Sequence, residues 1–161
     1  MTNIVLPEDG LTTILGDVGH YGKAGLETGA FLIARLDEQD VDTVALLGDQ
    51  GIERHPDYLV ISGVAMAALF NWADDHESRV VAQLHSHALE ARMSVTDKRF
   101  GLTVEGFTSA IVPYAARPTA DPNRWGWWTF RGGGWVSAQP AQLAKGSCHT
   151  VVFDEGGVRD G

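Results

Sequence analysis

Cysteine is almost missing: Cys148 stands alone among 161 residues. No disulfide can form within the chain, so a fold stapled by disulfides is excluded, and a reducing cytosol fits. Cations are scarce as well, 12 Lys and Arg against 21 Asp and Glu, for a formal net charge of −9. A nucleic-acid binder needs a basic face, so nucleic acid is not expected as a partner. An acidic surface could favour a basic protein, but solubility explains it as simply. No apolar run approaches the ~20 residues of a membrane helix. The first residues, Met1-Thr2-Asn3-Ile4-Val5-Leu6-Pro7, lack the basic start and apolar core of a secretory signal. Neither membrane nor export is expected, and the expected location is cytoplasmic. Internal repeats, linkers and low-complexity tracts are absent too. What remains is an ordinary globular composition, 44% hydrophobic, in a chain long enough for a core of its own.

Periodicity gives a coarse order of elements. Pro7 to about His20 predicts a helix with Leu11, Ile14, Leu15 and Val18 on one face. Gly29–Leu36 and Val41–Leu47 read as two strands joined by the polar link Asp37-Glu38-Gln39-Asp40, hence a hairpin. Gly48 to Pro56 is polar and irregular, and Tyr58–Ile61 reads as a third strand. Ser62 is a good N-cap for a helix from Gly63 to about Asp75. Phe107–Tyr114 reads as a central strand. Trp125–Phe130 and the run from Trp135 read as a hairpin around Gly132-Gly133-Gly134. Its tryptophans either cover the sheet or form an exposed aromatic surface for a partner. Gln139–Lys145 reads as a short helix and Cys148–Phe153 as a final edge strand. Beyond them Gly156-Gly157 could mimic the tail of a substrate.

The stretch that carries chemistry is Leu84-His85-Ser86-His87-Ala88-Leu89-Glu90-Ala91-Arg92-Met93-Ser94-Val95-Thr96-Asp97. Arg79-Val80-Val81-Ala82-Gln83-Leu84 before it is a buried strand by composition. Residues two apart in a strand share a face, so His85 and His87 project together and Ser86 turns away. Ser94 and Asp97 follow at i, i+3 spacing, on one face if Ser94 opens a helical turn. His-x-His alone fits a buried, hydrogen-bonded histidine pair better than a metal site. With Ser-x-x-Asp at this distance, His85, His87 and Asp97 make a donor set suited to zinc. Three protein ligands leave one position open, which marks a catalytic zinc.

His85-Ser86-His87 with Ser94-x-x-Asp97 resembles the JAMM motif of MPN-domain zinc metallopeptidases. That motif has an upstream Glu before an apolar strand, a form matched by Glu27-Thr28-Gly29-Ala30-Phe31-Leu32-Ile33. Phe107–Pro113 and Trp125–Trp135 resemble the late strands of compact bacterial members. The motif's usual Pro after the second His is Ala88 here, and the loop to Ser94 is about one residue short. Both departures would loosen that loop, since Pro fixes a φ angle.

The resemblance implies an α/β fold, MPN/cytidine-deaminase-like, with a mixed, mostly antiparallel sheet flanked by helices. It spans about residues 5–137, so a single domain, 1–161, is expected with 138–161 as a C-terminal extension. It implies one Zn2+ per chain on His85, His87 and Asp97, Glu27 as general base and Ser94 as donor to the oxyanion. Taken alone, Glu27 would read as an exposed carboxylate ahead of a strand. The implied activity is cleavage after the C-terminal Gly-Gly of a ubiquitin-like protein, as conjugate removal or precursor processing. Processing of a sulfur-carrier relative of ubiquitin and an inactive MPN scaffold are the alternatives.

Overall fold

The computed structural model describes residues 4–94 and 102–161. In chain order its elements are β1 (Val5–Pro7), α1 (Glu8–Lys23), β2 (Gly29–Arg35), β3 (Val41–Leu47), β4 (Ile52–Arg54), β5 (Leu59–Ile61), α2 (Gly63–Asp75), β6 (Ser78–Ser86), β7 (Thr108–Val112), β8 (Gly126–Arg131), β9 (Gly134–Ser137), β10 (Gln142–Ala144), β11 (His149–Asp154) and β12 (Gly157–Asp160). Eight of these strands form one sheet in the order β12-β11-β3-β2-β6-β7-β8-β9. Within it β11–β3 and β6–β7 are parallel and the other pairs antiparallel. The expected class, a mixed and mostly antiparallel sheet flanked by helices, is the one observed.

Strand alternation divides the core between the two faces of this sheet. Leu32, Val44, Leu84, Ala110 and Trp127 pack with Leu11, Ile14 and Val18 of α1, whose 3- and 4-residue spacing makes one helical stripe. Phe31, Ile33, Ala45 and Phe153 pack with Ala65 and Leu69 of α2 on the other side. Small alanines on α2 bring that helix close to the sheet, and the Phe31 and Phe153 rings meet edge-to-face at 5.6 Å. The α2 start is the one expected: the Ser62 hydroxyl accepts the Ala65 N–H at 3.1 Å. Helix α1 starts behind Pro7 without a side-chain cap, and Glu8 and Asp9 in its first turn complement the helix dipole.

Four readings of the sequence need correcting. The polar stretch before Pro56 contains a strand, β4, which pairs with β5 in a separate hairpin. Residues 139–145 hold no helix; β10 there pairs in parallel with β1. Residues 138–161 are not an appendage, because β11 lies inside the sheet, with Val151 and Phe153 in the core. The Gly-Gly near the C-terminus, read as a possible mimic of a substrate tail, is built into the sheet: Gly156 lies in the turn between β11 and β12, its N–H donating to Asp154 Oδ1 at 2.8 Å, and Gly157 opens β12. Two of the tryptophans of the aromatic stretch are covering material. Trp125 and Trp127 are buried, stacked at 5.9 Å, and their indole N–H groups donate to the carbonyls of Thr119 and Pro122. Its two-residue loop has positive φ at both Gly132 (59°) and Gly133 (80°), the I′ geometry that matches strand twist.

Candidate metal centre

Strand β6 delivers the histidines as alternation requires. His85, its penultimate residue, is buried at 2% exposure, and His87, one residue past the strand, is half-buried. Their rings lie 5.1 Å apart at 62°. His87 is fixed by its backbone: its N–H donates to Val112 O at 2.9 Å and its carbonyl accepts from the Ala115 N–H at 3.0 Å. Its Nδ1 lies 3.3 Å from Glu90 O. A carbonyl can only accept, so a hydrogen bond there requires the proton on Nδ1, the tautomer in which Nε2 would be the ligating nitrogen.

Glu27 arrives from the neighbouring strand. The β2–β6 register sets Gly29 opposite His85, and so brings the residue two before Gly29 to the end of β6. Gly29 lets the strands approach this closely, since a Cβ there would lie 2.6 Å from Leu84 O. Ser86 turns away from the imidazoles as expected. Its hydroxyl accepts the Thr28 N–H at 2.9 Å, and its own N–H donates to Thr28 O at 2.9 Å. The Glu27 N–H donates to His55 O at 2.9 Å. Glu27 is buried, 4% exposed, unlike the surface carboxylate that its local sequence alone suggests.

The result is a cluster in which one ligand atom each from Glu27, His85 and His87 lie within 4.8 Å of one another. Two imidazoles and a carboxylate so close together are a donor set that fits zinc. Beside it runs a cleft of about 340 Å³ lined by Glu27, Pro56, Asp57, His87, Leu89 and Ser94, among others. Ser94 thus shares a cleft with Glu27 and His87, at the edge of the described residues. Asp97 and the helical turn expected around it lie outside them. The backbone clamp of Thr28 on Ser86, and Arg54 behind it, were missed from sequence. No motif marks them, and Arg54 sits in a stretch that reads as irregular loop.

No protein-family model matches the chain, and neither does any curated protein. Solved structures do. Protein DSY2949 from Desulfitobacterium hafniense is 18% identical, with 89% of this chain and 94% of that one covered and a TM-score of 0.69. AF2198, a JAB1/MPN domain protein from Archaeoglobus fulgidus, is 19% identical over 90% of this chain and all of that one, with a TM-score of 0.46. A structure described as JAMM, a metalloprotease-like zinc site in the proteasome and signalosome, is 19% identical at the same coverage, with a TM-score of 0.44. Likeness of fold rests on the first of these, and the chemistry has to come from this chain's own residues. The mixed sheet sets a Glu at the mouth of one strand against His-x-His at the end of its antiparallel neighbour, the arrangement that the resemblance to the JAMM motif implies. No helix among the described residues is long and apolar enough to cross a membrane.

Proposed function

We propose that this chain is a zinc-dependent peptidase or isopeptidase that cuts after the C-terminal Gly-Gly of a ubiquitin-like protein. The observation that carries the reading is the meeting of Glu27 with His85 and His87, from positions some sixty residues apart, in one cluster beside an open cleft. In this reading His85, His87 and Asp97 hold one zinc, with Asp97 assigned by the JAMM resemblance. A zinc held there would supply Lewis-acid chemistry, polarising the scissile carbonyl and making a water more acidic. Glu27 takes the water's proton and returns it to the leaving amine. Ser94 donates its hydroxyl to the carbonyl oxygen as negative charge builds there. Leu89 and Pro56 line the cleft along which an extended tail would run.

The test uses the full chain, a linear ubiquitin-like fusion ending in Gly-Gly before a reporter, and the variant Glu27→Gln. Gln keeps the size of Glu but takes no proton at neutral pH. The wild type should carry one zinc and cut the fusion. Glu27→Gln should keep its zinc and lose about 10²–10⁴-fold in rate, the scale of general acid–base catalysis. Less than ~0.1 equivalent of zinc after zinc-supplemented expression would remove the metal from the reading, because a three-ligand site retains its ion. Zinc loss in Glu27→Gln would make Glu27 a ligand rather than the base. Full zinc with no cleavage of any Gly-Gly fusion would leave an MPN scaffold.

A further inference from the structure

We infer that Arg54 and Thr28 are positioning residues for Glu27, bolting the mouth of β2 against the His85–His87 pair; this rests on the zinc-peptidase reading. Arg54 ends β4, in the hairpin outside the main sheet. Its side chain is only 8% exposed, and a charge so placed has to be satisfied from all sides. Nε donates to Thr28 Oγ1 at 3.1 Å, Nη1 to Gly48 O at 3.0 Å and Nη2 to Leu47 O at 2.8 Å. The guanidinium carbon stands 4.0 Å from the centre of the Tyr21 ring, a cation–π contact. Asp49 lies 3.7 Å from Nη1. On α1, one turn before Tyr21, burial pushes the Asp17 carboxyl up, and the charge of Arg54 and then of His20 pulls it back. One planar group therefore ties together α1, the end of β3 and the start of β2, a span that only a fork of several donors covers.

Thr28 passes this restraint to the candidate site. It is fully buried, its hydroxyl is held by Arg54, and its two backbone groups are held by Ser86, the residue between the two histidines. On the other side of Glu27, its own N–H is held by His55 O, one residue along from Arg54. Both ends of the Glu27 backbone are thus fastened, one to the hairpin and one to the strand that carries the imidazoles. A general base must hold its oxygen to within a few tenths of an ångström, and a residue that merely precedes a strand has no such hold without help.

Thr28→Val tests this with the least disturbance. Val has nearly the same shape and suits a strand, but it offers Arg54 Nε no acceptor. Thr28→Ser keeps the acceptor. Zinc content, thermal unfolding, kcat and KM on the Gly-Gly fusion, and the visible spectrum of the cobalt-substituted protein are measured for both. Thr28→Val should keep its metal and its KM while kcat falls about 10-fold or more, the scale of a sub-ångström misplacement, and the cobalt spectrum should change. Thr28→Ser should restore both kcat and spectrum. Arg54→Lys, whose single ammonium cannot reach three acceptors, should move kcat in the same direction. If Thr28→Val matches the wild type in kcat and spectrum, or its loss of rate only tracks lost zinc or lost folded protein, the positioning role is overturned. A wild type that binds no zinc or cuts no fusion overturns the peptidase reading, and the positioning role with it. An active wild type indifferent to Thr28→Val overturns the positioning role alone.

Discussion

A single methyl group added at Gly29 should separate the stability of this protein from its chemistry. An ideal Cβ there would lie 2.6 Å from the Leu84 carbonyl oxygen and 3.1 Å from Leu59 Cδ2, where ordinary contact begins at 3.4 Å. The leucine methyl can swing aside, but the carbonyl belongs to the backbone of β6, one residue before His85. In Gly29→Ala the strands must therefore part by about 0.8 Å at the level of the candidate site, and a misplacement near 1 Å costs about 10²-fold in rate. Forced overpacking of this kind costs about 1–3 kcal/mol, or roughly 2–12 °C in Tm for a chain of this size. The matching control is Gly16→Ala in α1, where nothing lies within 4 Å of the added atom. It should gain about 0.5–1 kcal/mol through helix propensity and leave the rate alone. The assay is thermal unfolding, zinc content and kcat/KM on the Gly-Gly fusion for all three proteins. If Gly29→Ala melts with the wild type and cuts at the wild-type rate, the close strand approach does not set the distance from Glu27 to His85.

The other expected outcomes concern the ligands, the oxyanion donor and acid stability. His85→Ala and Asp97→Ala should each lose zinc on purification, read by metal analysis. Ser94→Ala should keep zinc and lose about 10²-fold or more in kcat, and an unchanged kcat would remove Ser94 from the mechanism. The Asp154 carboxyl is held well below the usual range by Arg159, with the Asp49, Gly156 and Gln50 N–H groups adding to it against the effect of burial. A lowered folded pKa means stability that is fully present above the unfolded value of about 3.9 and is lost as pH falls below it. Urea midpoints should therefore drop below about pH 4 in the wild type, and Asp154→Asn should be weaker at pH 7 but flatter in acid.

How much of this was legible in the sequence depended on how local each feature is. His85 and His87 share a face because a strand alternates, and Arg79–Leu84 announces a strand by composition alone. The α2 cap at Ser62 was legible for the same reason, since cap and acceptor lie three residues apart. Glu27 was not legible from its neighbours: its burial comes from a strand register, Gly29 opposite His85, that no local pattern encodes. The family resemblance supplied that link. Strand β4 escaped because Ile52-Glu53-Arg54 is short and sits between Gly51, at φ 77°, and His55-Pro56. The helix expected at 139–145 lost to backbone pairing with β1, a partner more than a hundred residues away. Cys148–Phe153 was read as a strand from its β-branched run, but its inner place beside β3 is a long-range parallel pairing that periodicity cannot report.

That parallel pairing has a consequence for how the protein is made. Synthesis is vectorial, and β3 leaves the ribosome about a hundred residues before the strand that pairs with its outer edge. Through that interval the N–H and C=O groups along one side of Val41–Leu47 have no strand to meet, and Phe31 has yet to receive the ring of Phe153. The sheet can close only when β11 is out and Asp154 has caught the Asp49 N–H 105 positions back. Folding of this sheet therefore waits on a late strand, is slow for its size, and is exposed to edge-to-edge pairing between nascent chains.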